Sequence, residues 1–224
     1  MRLLVLTDWG YPCDHEFLNE VFSNRLTERG YDLVWVMRPG EDHSGTIEQY
    51  NWNENQVYIP PENAYDPIST SVQYFTKRME DHPVVSLLDD IKSFDGIHVR
   101  NDLAMGLVAS YLSQSYGIPY AHQISHLKAE TKIQMAKAGE SDSLIIDYLQ
   151  GKLGRHLRKF VSSRASVRFP ISETMADVLR DQGYSEPLIP LPTGSSTEID
   201  PDFVDPSPFL ESYNIPDKPI ILYM

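Results

Sequence analysis

An α/β fold built on a doubly wound, mostly parallel sheet is what this sequence predicts, and three observations predict it. Residues 2–7 form a continuous apolar run of the kind buried on both faces of a parallel sheet. A helix-period segment and a second apolar run follow within the first 37 residues, making a βαβ unit. Strand-like and helix-like segments then alternate to about residue 191, with no internal repeat or low-complexity tract.

Taken in order, residues 2–7 are the first strand and 8–14 its loop. A helix over 15–29 carries Phe17, Leu18, Val21, Phe22 and Leu26 on one face and stops at Gly30. Residues 31–37 are the second strand. Residues 39–55 are polar and weakly patterned and read as a surface loop, and 56–59 as a short third strand ending at Pro60-Pro61. Residues 70–94 read as helical with a break near Pro83. Residues 96–99 are the fourth strand. The helix over 102–116 bears Leu103, Leu107, Val108, Tyr111 and Leu112 and ends at Gly117. Residues 118–123 are the fifth strand. Helices over 126–138 and 142–165 follow, separated by Gly139.

Val167, Phe169 and Ile171 alternate as a sixth strand. Ser172 then stands at a helix N-cap, with Glu173 in the first turn, where the helix dipole favours a carboxylate. Met175, Val178 and Leu179 form the apolar face, and Gly183 is the stop. Residues 188–191 read as a seventh strand closing on Pro192-Thr193-Gly194.

That string of strand, Ser172-capped helix, glycine stop and Ile189-Pro190-Leu191-Pro192-Thr193-Gly194 resembles the close of the N-terminal, Rossmann-like domain in GT-B glycosyltransferases, family 4 in particular. After Gly194 the composition turns to linker chemistry, with four prolines and six carboxylates over 195–217. The apolar run Lys218-Pro219-Ile220-Ile221-Leu222-Tyr223-Met224 is similar to the string that opens the second, donor-binding domain of that family. The resemblance thus implies a Rossmann-like acceptor-side domain over 1–194, a linker over 195–217, and the first strand of a missing C-terminal domain over 218–224.

Charge and composition narrow the partners. The chain has 224 residues, with 19 basic and 32 acidic side chains and a net charge of −13, a field that repels a nucleic-acid backbone. Its hydrophobic fraction of 41% supports a packed core, and no apolar run is long enough for a membrane span. The basic concentration over 152–168 is the one place where peripheral membrane contact has a footing. No signal peptide is legible at the N-terminus, which reads as that of a cytoplasmic protein. The single cysteine, Cys13, excludes an intrachain disulfide and a thiol-based metal site. The histidines lack ligand spacing and no carboxylate pair follows an apolar strand, so no metal is expected. No cofactor motif such as G-x-G-x-x-G is present.

Ligands of a doubly wound sheet bind at the carboxyl ends of its strands. Those ends offer Asp8, Trp9, Gly10, Tyr11 and Asp14 after the first strand, and His98, Arg100, Asn101 and Asp102 around the fourth. They offer His122, Gln123, Ser125 and His126 around the fifth, and Ser172 and Glu173 after the sixth. Arg100 suits a carboxylate or phosphate. Asn101 or Asp102 also suits a helix cap, and His98, inside its strand, a hydrogen-bonded core position. Asp14 could equally cap the first helix. Family members commonly carry a Gly-Gly pair in the first loop, where this chain has Gly10, Tyr11 and then Cys13-Asp14-His15. Pro119 to His126 resembles the family segment that places a histidine near the transferred sugar. Aligned from Pro119, that place falls on Ser125, with His126 next and Gln123 where others have Glu or Thr. The resemblance therefore implies catalytic roles for Ser125 and His126. It implies substrate or donor contacts for Gly10, Tyr11, Arg100, Asn101, Gln123, Ser172 and Gly194. The implied activity is retaining transfer of a sugar from a nucleotide-diphosphate sugar donor to an acceptor hydroxyl. A non-catalytic α/β ligand-binding domain and a GT-B-fold sugar-nucleotide epimerase remain alternatives.

Overall fold

A computed structural model describes residues 1–40, 45–88, 90–141 and 143–192. Gly194, the linker and the strand expected over 218–224 lie outside the described residues. The chain forms a seven-stranded sheet from β1 (Arg2–Gly10), β2 (Asp32–Arg38), β3 (Glu48–Trp52), β4 (Asn55–Ile59), β5 (Gly96–Arg100), β6 (Tyr120–Ile124) and β7 (Val167–Pro170). Their spatial order is β3-β4-β2-β1-β5-β6-β7, and every pair except β3 with β4 is parallel. From β1 the chain winds outward through β2 to β4, then returns to β5 and winds the other way. The order therefore reverses between β1 and β5, and the sheet is doubly wound and Rossmann-like, as the alternation of segments predicts.

Period two divides the strands between two cores. Val5, Leu33, Trp35, Met37 and Val57 face a helix over Phe17–Leu26, burying Phe17, Leu18 and Phe22. That helix is wound to the wider π pattern rather than as the regular α-helix its periodicity predicts. On the other face Leu4, Leu6, Val34, Val36, Ile97 and Val99 pack against α3 (Leu103–Tyr116) and against Val161 of α5 (Leu144–Arg164). Two glycines let helices approach closely. A Cβ on Gly106 would lie 2.5 Å from Val161 Cγ1, and one on Gly151 would lie 2.8 Å from the Ala129 carbonyl oxygen of α4 (Lys128–Ala138).

Three expectations are corrected. The stretch expected as loop over 39–55 contains β3, which pairs antiparallel with β4 through Asn53-Glu54, both at positive φ (50° and 65°), a tight hairpin turn. Aromatic contacts hold the hairpin to the sheet. Tyr50 stacks on Tyr11 at 4.7 Å and Trp52 meets Trp35 edge-on at 5.4 Å.

The helix expected over 70–94 starts earlier and is broken more thoroughly. Asp66 caps α1 (Pro67–Phe75) and Pro67 takes its first turn. Then α2 (Pro83–Leu87) follows, capped by the His82 ring, with short 3₁₀ turns on either side at 79–81 and 91–93.

The seventh strand expected over 188–191 contracts to one parallel bridge between Leu188 and Arg168. Arg168 donates to the Pro187 carbonyl, and Ile189 and Leu191 donate to the Arg168 and Pro170 carbonyls, but Pro170 has no N–H to return to Ile189, so no second bridge closes.

Candidate functional site

The strand order reverses between β1 and β5, and the carboxyl ends at such a switch point are the usual crevice for a ligand in this kind of sheet. Arg100 ends β5 with its side chain 2% exposed. Its Nη2 lies 3.1 Å from Nε2 of His15, at the mouth of the π helix, and its Nη1 lies 3.7 Å from Oδ1 of Asp8 on β1. The other Asp8 oxygen accepts from Lys128 Nζ at 3.1 Å, at the start of α4. Trp9 roofs this group, meeting the His15 ring edge-on at 4.6 Å and lying 5.8 Å from the Arg100 Cζ.

A guanidinium only donates, so the His15 Nε2 must accept, and the imidazole proton sits on Nδ1. Burial and then the Arg100 charge push His15 below its ordinary pKa, which keeps that ring neutral at pH 7. Burial also pushes Arg100 down, against the pull of Asp8.

Beside this group, the ends of β5 and β6 are laced together. Asn101 adopts the left-handed region at φ 58°, and its Oδ1 accepts from the Ser125 N–H at 2.7 Å. Gln123 lies opposite Arg100 in the register, buried, with Oε1 3.1 Å from His98 Nε2. His98 is thus the hydrogen-bonded core histidine its place in the strand predicts, lowered to about 4 by burial. Asp102, not Asn101, caps α3, its Oδ1 accepting from Met105 N at 2.9 Å.

What distinguishes the crevice is what remains unbonded. Of the ten buried side-chain atoms without a hydrogen-bond partner among the described residues, seven are here. They are Asp8 Oδ1, His15 Nδ1, Arg100 Nε and Nη1, Asn101 Nδ2, Gln123 Nε2 and Ser125 Oγ. Buried polar atoms in folded proteins are nearly always paired, and each orphan costs about 1–3 kcal/mol. Asp8 Oδ1 and Arg100 Nη1 face each other as an ion pair at 3.7 Å, and the concentration of the set at one sheet end makes this the candidate site.

The structure therefore brings together Asp8, Trp9, Arg100, Asn101, Gln123 and Ser125 of the residues singled out from sequence. His126 is exposed in the connection between β6 and α4, next to Ser125. Gly10 ends β1, and a Cβ there would meet only the Arg38 carbonyl at an ordinary 3.8 Å, so the position does not require glycine. Tyr11 is committed to its stack on Tyr50. Ser172 caps α6 (Glu173–Asp181), accepting from Met175 N at 3.1 Å. Asp14 is exposed, and no side chain caps the π helix at its Glu16 cap position. Cys13 is a buried free thiol raised by burial. His15 is the residue sequence reading missed: its partner Arg100 is 85 positions away.

Asp102 yields a first testable expectation. Burial raises its carboxyl to about 6, against 3.8 normally. The folded state thus holds this proton more tightly than the unfolded one. The associated stability is full below about pH 4 and is lost as pH rises through 6. Asp102→Asn keeps a capping oxygen and removes the buried charge. Its urea midpoint at pH 7 should correspond to a gain of roughly 2 kcal/mol, shrinking to nothing near pH 4.

No family model and no curated protein matches the sequence. Among solved structures, the chain is similar to a sucrose-phosphate synthase from Thermosynechococcus elongatus, at 13% identity and a TM-score of 0.48 over 87% of this chain and 91% of that one. It is also similar to UGT2 from Phytolacca americana, at 11% identity and a TM-score of 0.48, where it covers 53% of that chain. A third similarity is to an α,α-trehalose-phosphate synthase (UDP-forming) from Burkholderia vietnamiensis, at 11% identity and a TM-score of 0.40, over 43% of that chain.

Proposed function

We propose that this chain is the acceptor-side half of a retaining glycosyltransferase that moves a sugar from a nucleotide-diphosphate sugar to an acceptor hydroxyl. The observation that carries the reading is the mixed character of the unpaired set in the crevice. His15 Nδ1, Asn101 Nδ2, Gln123 Nε2 and two Arg100 N–H groups donate, Asp8 Oδ1 accepts, and Ser125 Oγ does either. A polyhydroxyl ligand, admitted by a side-chain movement that uncovers these buried atoms, satisfies both kinds at once, whereas a hydrocarbon would leave all of them orphaned. The string around Ser172 and the segment Pro119 to His126, which resemble family 4, support the same reading.

In this reading the acceptor sugar lies over Asn101, Gln123 and Ser125, and the neutral His15 and Asp8 fix its hydroxyls. Arg100 is the counter-charge for the phosphate oxygens of the donor. Rate enhancement then comes from orientation and from stabilising the departing diphosphate. The remaining donor contacts belong to a domain that would follow the linker over 195–217, opening with the apolar strand over 218–224.

The test is nucleoside diphosphate release from uridine and guanosine diphosphate sugars by the parent chain carrying that second domain. Arg100→Lys, which keeps a cation beside Asp8 but loses the fixed fork of guanidinium donors, should lower kcat/KM by about 10²–10³-fold, the size of losing one preorganised donor. Wild-type turnover in that variant would return Arg100 to a purely structural tie. A parent that binds sugars but releases no diphosphate would instead be a ligand-binding module.

A further inference from the structure

Outside the crevice, an apolar groove of about 730 Å³ runs between α1 and α5 over the start of α3 and α4. Its walls are Ile68, Val72 and Phe75 of α1 and Leu153 and Leu157 of α5, and Leu103 closes one end. The rims are open to solvent: Ile68 is 66% exposed, Phe75 63% and Leu153 61%. Large apolar side chains left this exposed along facing walls mark a binding surface rather than ordinary surface scatter.

Two features join the groove to the crevice. Leu103 is the first residue after the Asp102 cap, at the carboxyl end of β5. Lys128 lines the groove and places its Nζ 3.1 Å from Oδ2 of Asp8, inside the polar cluster. The two lysines of the lining are already engaged, Lys128 by Asp8 and Lys132 by Asp147 and Gln150. The volume lies in the range of small-molecule sites.

We infer that the groove holds the hydrocarbon tail of an amphiphilic acceptor whose hydroxyl-bearing head occupies the crevice. One molecule would span both, its polar end meeting the orphaned donors and acceptors and its chain lying between α1 and α5. The inference deepens the glycosyltransferase reading and rests on it for the word acceptor, though the binding itself does not require transfer.

The experiment titrates the protein calorimetrically with hexyl, octyl and decyl β-glucosides below their micellar concentrations. Burial of a methylene at about 0.8 kcal/mol corresponds to roughly fourfold in affinity, so a groove open on one side should give about two- to fourfold per methylene. Val72→Asp and Leu153→Asp, both at exposed helix positions, should abolish that slope, and Ser71→Trp should cut it short by filling the channel. A flat series in the wild-type protein would overturn the proposal. So would a slope unchanged in both aspartate variants, or capture by phosphatidylcholine vesicles without binding of the monomeric glucosides, which would make this face a membrane contact. A parent enzyme that glycosylates a soluble sugar while the series stays flat would keep the transferase reading and lose this one. A clear slope without any transfer would do the reverse.

Discussion

Glu130→Ala should cost about 3–5 kcal/mol of stability, the penalty for stranding a buried charge. Glu130 of α4 accepts both ends of the Arg158 guanidinium, at 2.7 and 2.5 Å, from the middle of α5. Arg158 is 5% exposed, and it also donates to Tyr184 Oη at 2.9 Å and to Gln182 Oε1 at 3.3 Å beyond α6. Burial alone would raise the Glu130 carboxyl, but the Arg158 bonds outweigh it and hold it below its usual value. One guanidinium therefore joins α4, α5 and the end of α6, and its four acceptor contacts leave no room for solvent. Removing the carboxylate leaves the cation with two neutral acceptors in a dry position. Urea denaturation at pH 7 measures the effect. A loss under about 1 kcal/mol would show the pair to be solvated and expendable. Replacing the two together, Glu130→Leu with Arg158→Met, should restore much of the loss, because no charge is then left buried.

Acid should weaken the fold well before the bulk of its carboxylates titrate. His82, His98 and His122 are buried, and burial is the leading cause that pushes them to about 4, about 4 and about 3. For His122 the charges of Arg158, His98 and Arg168 add to that cause. The stability each contributes is full above the ordinary histidine value of 6.5 and is lost as pH falls toward the depressed one. At pH 5 the cost is about 2 kcal/mol per histidine. Asp102, whose shift has the opposite sign, returns about 1 kcal/mol. A net loss of roughly 5 kcal/mol between pH 7 and pH 5 is therefore expected from denaturation midpoints. His122→Asn, which keeps a partner for Ser162 Oγ, should flatten about a third of that slope. A midpoint that does not move over this interval would show that water or a relaxed core reaches these rings.

The fold was legible because its strands are buried on both faces. Leu3 to Leu6 and Leu33 to Met37 are continuous apolar runs, and only a central parallel strand needs both faces dry. The hairpin was not legible, because β3 is an edge strand with no fully buried residue, so its sequence shows no period. Its ladder with β4 makes it a strand, and its ring contacts to Tyr11 and Trp35 hold that hairpin against the sheet. Residues 188–191 were the opposite case. Their apolar content suggested a strand, but Pro170 on the facing strand withholds the donor a second bridge needs. At the site, Arg100, Asn101, Gln123 and Ser125 could be read from sequence because strand ends fix where ligands lie. His15 could not, since nothing near it in the chain announces Arg100, and the unbonded state of its Nδ1 exists only in three dimensions.

The left-handed backbone at Asn101 constrains how this crevice can evolve. Glycine would adopt the same turn without strain, but it would drop the tether to the Ser125 amide. Aspartate would keep both turn and tether, yet it would add a carboxylate next to the already destabilised Asp102 and close to Asp8. A branched residue would keep neither, and would strain the loop by about 1–2 kcal/mol. None of these three replacements is neutral. Because the tether is the backbone N–H of residue 125, a new side chain there leaves it in place, and the compensation for aspartate at 101 has to come from position 102.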